Sequence, residues 1–160
     1  MSILSRMTLG LLSAMLLVGV HYAPASATEV AHPADSVTAQ EVCNRCNGFR
    51  YQDPRTKAVY LVIDGLRHHV PDTATYFNLW AGWDGLRTDG NGISVGEPLL
   101  SGSYLAKEIE TGKVYLVGRT KRHIYTMEIF HQYAFDVARI RNVSRASLPP
   151  QGDNLPGRPS

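Results

Sequence analysis

The sequence predicts a mainly β fold with short helices, an α+β domain in which two pseudo-symmetric repeats of strand, strand, helix and strand share one core. Three observations carry this expectation. Residues 59–77 read VYLVIDGLRHHVPDTATYF and residues 114–130 read VYLVGRTKRHIYTMEIF, so one pattern is spelled twice. Each copy opens on a β-branched and aromatic run and then changes to helical spacing. Matched positions lie about 52–55 residues apart, a period at which units too small to bury their own faces pack on a neighbour.

The elements follow in order. Residues 58–63 and 113–118 read as strands; Asp64-Gly65 is a hairpin turn signal, and residues 66–70 form the returning strand. Alternation places Tyr60 and Tyr115 on one face, with Val59, Leu61, Val114 and Leu116 on the other. Pro71 breaks the first sheet, and Asp72 or Thr73 caps a short helix carrying Tyr76, Phe77 and Trp80; Thr126 stands near the equivalent point before Ile129, Phe130, Tyr133 and Ala134. Matching the copies pairs His69 with His123, Phe77 with Phe130 and Trp83 with Phe135. Closing strands are expected at residues 93–95 and 140–144.

Outside the repeats the chain changes character. Residues 1–7 carry Arg6 as their one charge, residues 9–20 are apolar or small, and Ala25-Ser26-Ala27 offers small residues for cleavage. This is the layout of a secretory signal peptide over residues 1–27. The apolar run is well short of the ~20 residues of a permanent span, so no stable membrane span is expected. The expected location is secreted or periplasmic. Residues 28–42 read as a linker and residues 43–150 as a single tandem-repeat domain, with repeat one at about 49–100 and repeat two at about 102–150. Residues 151–160, rich in proline and glycine, read as a disordered tail.

Cys43 and Cys46 are the only cysteines. Export places so close a pair in an oxidising compartment, and a short structural disulfide is expected. A dithiol redox site usually sits between a strand and a helix N-terminus, whereas here a polar linker precedes the pair and Asn47-Gly48 follows. Zinc needs four ligands, and one CxxC supplies half of them.

The pattern VYLV, a turn, RHxIP or a near variant, and a later phenylalanine before a glycine-aromatic pair resembles a tandem repeat module of exported and surface-attached bacterial proteins. The likeness covers roughly residues 50–150. It implies an extracellular accessory or binding role and assigns no catalytic residue. The chain departs from the pattern in two places: Tyr125 replaces the proline after the second histidine strand, and Asp89-Gly90-Asn91-Gly92 is extra loop in copy one.

Formal net charge is +2, which argues neither for nor against a polyanionic partner. Basic residues crowd the second copy, among them Lys113, Lys121, Arg122, Arg139, Arg141 and Arg145, and a solvated face is the expected reading, with no nucleic-acid partner. His69 and His123 share one repeat position, which favours an imidazole satisfied by backbone over a metal site; a zinc site would need His69, His123 and Asp72 to converge. No metal or cofactor is expected. Motifs of nucleophilic, metallopeptidase or phosphate chemistry are missing from the sequence, so a catalytic role is not expected.

Residues 80–94, WAGWDGLRTDGNGIS, are the least core-like stretch. The candidate ligand-binding set is Trp83, Asp84, Arg87, Asp89 and Asn91, an aromatic ring among carboxylate, guanidinium and amide groups, the composition of a sugar site. Gly90 and Gly92 are expected to serve a tight turn at positive φ. The sequence therefore points to a non-catalytic module for cell-wall or other extracellular carbohydrate, such as polysaccharide or peptidoglycan. The alternatives are a protein-interaction or structural subunit of an exported assembly and, less well supported, a small secreted hydrolase or redox protein. Clustering of Trp83, Tyr76, Asp84 and Asn91 in a concavity favours sugar, and a flat patch over Tyr104, Tyr115 and Tyr125 favours protein.

Overall fold

A computed structural model describes residues 40–159. The expected signal peptide and most of the expected linker lie outside the described residues. The run VYLVI forms strand β2 (Val59–Ile63), and the type I′ signal Asp64-Gly65, with φ of 53° and 73°, returns it as β3 (Leu66–Val70). This tight turn sets the register, pairing Val59 with Val70 and Tyr60 with His69. The second VYLV forms β5 (Val114–Val117), which pairs with β6 (Lys121–His123) and sets Tyr115 opposite His123.

Each hairpin is preceded by a strand that sequence reading misses. β1 (Arg50–Gln52) pairs antiparallel with β2, and β4 (Tyr104–Glu108) with β5. Both carry charged residues that read as loop. Arg50 and Glu108 are nevertheless 7% and 2% exposed, because partners distant in sequence satisfy them. Each hairpin therefore belongs to a sheet that begins one strand earlier than expected. Closing strands also differ from expectation. β7 (Arg141–Val143) forms and runs parallel to β4, completing a sheet of order β6-β5-β4-β7 beside the sheet β1-β2-β3. Residues 93–95 make only single bridges, Ile93 to Glu41 and Val95 to Arg67, since they divide their pairing between two segments.

Two short helices connect the sheets to the loops. In α1 (Thr73–Phe77) the Asp72 carboxylate accepts the Thr75 N–H, and in α2 (Met127–Gln132) the Thr126 hydroxyl accepts the Ile129 N–H. Aligning these caps sets Tyr76, not Phe77, opposite Phe130. Tyr76 and Phe130 are each 1% exposed, whereas Phe77 is only partly buried.

Strand alternation works as expected. Val59, Leu61 and Ile63 of β2 and Leu116 of β5 enter the main core together with Tyr76, Leu79, Trp80, Leu105, Phe130, Tyr133 and Phe135. Val62 packs with Cys46, Tyr51 and Ile93 on the other face of its sheet, as Tyr115 does with Ala106 and Val117 on the other face of β5. Both sheets thus share one core, and the Trp80 indole N–H donates to the Tyr133 carbonyl across it at 3.0 Å.

The C-terminal segment corrects the expectation of a disordered tail. Leu155 is 1% exposed within the main core, and its N–H donates to the His123 carbonyl at 2.9 Å. Tyr133 donates to the Pro156 carbonyl at 2.9 Å, and Arg158 donates to the Asn47 carbonyl at 2.7 Å. Proline and glycine remove a periodic pattern without preventing an irregular segment from finding partners for its backbone along the β6 edge and burying one anchor side chain.

Candidate functional site

The loop after α1 is organised by a buried cation. The Arg50 guanidinium reaches from β1 to the Tyr76 hydroxyl, to the Gly82 carbonyl at 3.2 Å and to the Asp84 carbonyl, and it lies 5.2 Å from the centre of the Trp80 ring. Among the described residues no carboxylate pairs with it. Carbonyl dipoles and aromatic faces stabilise the charge instead. The Tyr76 hydroxyl in turn donates to the Gly82 carbonyl at 2.8 Å. The backbone on both sides of Trp83 is therefore held from beneath.

Trp83 itself is 45% exposed. Its indole stacks on the Tyr76 ring at 3.9 Å with 20° between planes, and Phe77 meets it edge-on at 5.3 Å. One indole face is thus covered and the ring is oriented, while the rest faces solvent. The expected match of Trp83 with Phe135 pairs unlike environments, since Phe135 is buried. Beside Trp83 lies a groove of about 330 Å³ lined by Gln52, Thr56, Lys57, His69, Asp72 and Thr73 among others. Asp72 accepts from the Ser101 hydroxyl and caps α1, and these hydrogen bonds, that from Ser101 first, hold its carboxyl below the usual range.

The five candidate residues do not converge. Trp83 lines the groove just described, and Asp84 borders a smaller depression of about 170 Å³ beside Arg50 and Ala134. Arg87 and Asp89 line a third, of about 770 Å³, with Tyr51, Phe49, Cys43 and Cys46. Arg87 lies over the Phe49 ring at 3.5 Å, and Arg158 lies at 3.9 Å from the same ring's centre. Asn91 has a structural task, accepting from Arg67 at 3.0 Å. Neighbours on one loop are dispersed because residues 87 and 93–95 bridge to three different segments.

The glycine expectation is corrected as well. Gly90 and Gly92 are not among the positive-φ residues. Gly90 is needed because a Cβ there would collide with the Tyr51 ring, whereas one at Gly92 would meet open space.

Cys43 and Cys46 form a disulfide around a single 3-10 turn, Asn44–Cys46. Backbone satisfaction of an imidazole occurs at His68, whose Nδ1 and Nε2 lie 2.6 and 3.1 Å from the Glu97 and Ile63 carbonyls. His69 and His123 instead face Tyr60 and Tyr115 across their hairpins, at ring separations of 5.5 and 5.3 Å. Burial, then the Lys113 charge, holds the His123 imidazolium below its ordinary pKa. Much of the basic crowd is partnered: Lys121 and Arg145 with Glu108, Arg122 with Asp64, Arg139 with Asp136. Among the described residues no group of three or more His, Cys, Asp or Glu is placed to hold a metal, and no helix is long and apolar enough to cross a membrane.

Of the concavity expected for sugar, Trp83 and Tyr76 share the groove, while Asp84 and Asn91 stand elsewhere. The flat tyrosine patch does not form, since Tyr115 is 4% exposed and Arg141 lies over Tyr104. Lys57, Gln52 and His69 were missed as groove residues. The turn at Asp64-Gly65 carried the signal: its register sets residues 57 and 58 near residues 71 and 72. No protein family, curated protein or solved structure matches the chain.

Proposed function

We propose that this chain is an exported, non-catalytic module that binds carbohydrate of the cell wall or of other extracellular polysaccharide through the groove at Trp83. The observation that carries the reading is an indole held on one face by Tyr76, with 45% of the residue left exposed beside polar side chains that line the same groove. A pyranose ring stacks its apolar face on such a platform, and its hydroxyls meet fixed donors and acceptors. Lys57, Gln52, Thr56 and His69 supply those groups here, in place of the Asp84, Arg87, Asp89 and Asn91 expected from the sequence. Preorganisation adds to this, since a ring already oriented by Arg50 and Tyr76 loses little freedom on binding. Docking to another exported protein draws less support, because Tyr115 is buried and Arg141 lies over Tyr104, which leaves Tyr125 as the exposed tyrosine of the expected patch.

The test is retention of the purified chain on wall polysaccharide, peptidoglycan and a glycan array, with the Trp83→Ala and Asp89→Ala variants alongside. Aromatic stacking of about 0.5–1.5 kcal/mol corresponds to a loss of several-fold in affinity for Trp83→Ala. Asp89→Ala leaves affinity unchanged, since Asp89 lines a different depression. Full glycan affinity in a Trp83→Ala variant with an unaltered thermal transition removes this groove as the site.

A further inference from the structure

We propose a second carbohydrate site, at the open end of the β5–β6 hairpin and walled by the C-terminal segment, which rests on the reading of the Trp83 groove and makes the chain bivalent toward a glycan polymer. The two hairpins set a tyrosine opposite a histidine in the same way, Tyr60 with His69 and Tyr115 with His123. The Trp83 groove opens beside His69, and a depression of about 450 Å³ opens beside His123. Its walls include Lys113, Tyr125, Gln151, Asp153 and Asn154.

Tyr125 supplies the platform. It follows the second hairpin where Pro71 follows the first, and it is 68% exposed. Its ring meets that of His123 edge-on at 5.1 Å, and His123 in turn rests against the buried Tyr115. An aromatic ring this exposed gains little from folding, and it is braced by the ring beneath it, as Trp83 is by Tyr76.

The polar wall is fixed by its backbone, and its Gln151 amide donates to the Gly152 carbonyl at 2.8 Å. Arg122 is anchored on the Asp64 carboxylate and donates to the Asp153 and Asn154 carbonyls at 3.2 and 3.1 Å. The Lys121 N–H donates to the Pro150 carbonyl and the Gly152 N–H to the Lys121 carbonyl, and a Cβ at Gly152 would press on Thr120, so the segment lies close against β6. Among the described residues neither Lys113 nor Asp153 takes part in an ion pair. One charge of each sign beside two amides suits the hydroxyls of an uncharged sugar better than a polyanion. His123, held neutral at neutral pH by burial and Lys113, can donate or accept there.

Two sites on one chain convert the second contact with a polymer into an intramolecular event, so polymer affinity exceeds that for a short fragment. The experiment is calorimetric titration of the full chain with neutral tetrasaccharides, β-1,4-linked N-acetylglucosamine and β-1,4-linked glucose, together with retention on the corresponding insoluble polymers. The wild-type chain is expected to take two equivalents of the bound tetrasaccharide. Tyr125→Ala and Asn154→Ala should each leave one, at an unchanged thermal transition, and polymer retention should fall by ~10-fold or more. Trp83→Ala should weaken the other equivalent several-fold. A single equivalent, weakened in Trp83→Ala and untouched by Tyr125→Ala and Asn154→Ala, overturns the second site and leaves the first. Loss in Tyr125→Ala with Trp83→Ala silent supports the site at Tyr125 and overturns the first reading. No binding of either tetrasaccharide or polymer by the wild-type chain overturns both.

Discussion

Replacing Arg50 with methionine tests how the Trp83 platform is held. Methionine keeps an unbranched stem among Tyr76 and Trp80 and removes the guanidinium, with its contacts to the Tyr76 hydroxyl and to the Gly82 and Asp84 carbonyls. Hydrogen bonds to a charged group contribute about 1.5–3 kcal/mol each, while removing a cation that is 7% exposed relieves a desolvation cost of several kcal/mol. The carbonyls at Gly82 and Asp84 lie near solvent and regain water. The net loss expected is about 2–3 kcal/mol, which lowers the thermal midpoint of a domain this size by roughly 10 °C. A second readout isolates the platform. The chain has two tryptophans, and Trp80 is 1% exposed, so collisional quenching by acrylamide reports on Trp83. Quenching should rise as the loop loosens, and glycan affinity should fall with it. Arg50→Lys should not restore either, because one ammonium cannot span three acceptors held in a planar fork. A midpoint within ~2 °C of wild type, with quenching unchanged, would refute the role assigned to Arg50.

Three further outcomes are expected. Glu108 is held below the usual carboxylate range by hydrogen bonding to Arg145 first, with Lys121 adding to it. A depressed folded-state pKa means its contribution is complete above the ordinary value and is lost as pH falls through the folded one, so Glu108→Gln should flatten part of the stability loss below about pH 4 in thermal melts. Asp72 and Asp53, shifted in the same direction, keep the remainder, and an unaltered pH profile refutes the assignment to Glu108. Gly90→Ala should destabilise by about 1–3 kcal/mol in denaturant melts through overpacking on Tyr51, while Gly92→Ala is silent; equal effects would contradict the steric account. Leu155→Ala should cost about 2–5 kcal/mol in the same assay, and a cost near zero would mean that the C-terminal segment is not part of the core.

Local patterns determined much of this protein. The doubled VYLV run, the Asp64-Gly65 turn and the Asp72 and Thr126 caps are short-range signals, each read within a few residues, and they place both hairpins, both helices and the shared core. Strand alternation also follows from local geometry, because successive side chains must point to opposite faces. Trp83 stood out by composition, as the aromatic of a loop without apolar periodicity. Only the tertiary structure decided the rest. β1 and β4 carry Arg50 and Glu108, which read as surface until carbonyls and basic groups from distant segments satisfy them. Residues 84–91 share a loop with Trp83 but turn to other depressions, since Arg87 bridges to Tyr51 of β1 and Asn91 accepts from Arg67 of β3. The groove beside Trp83 is instead walled by residues about 30 positions earlier, brought there by antiparallel pairing. The C-terminal segment reads as disordered because its one anchor, Leu155, has no periodic companions, and burial of a single side chain depends on a cavity that exists only once the two sheets have packed.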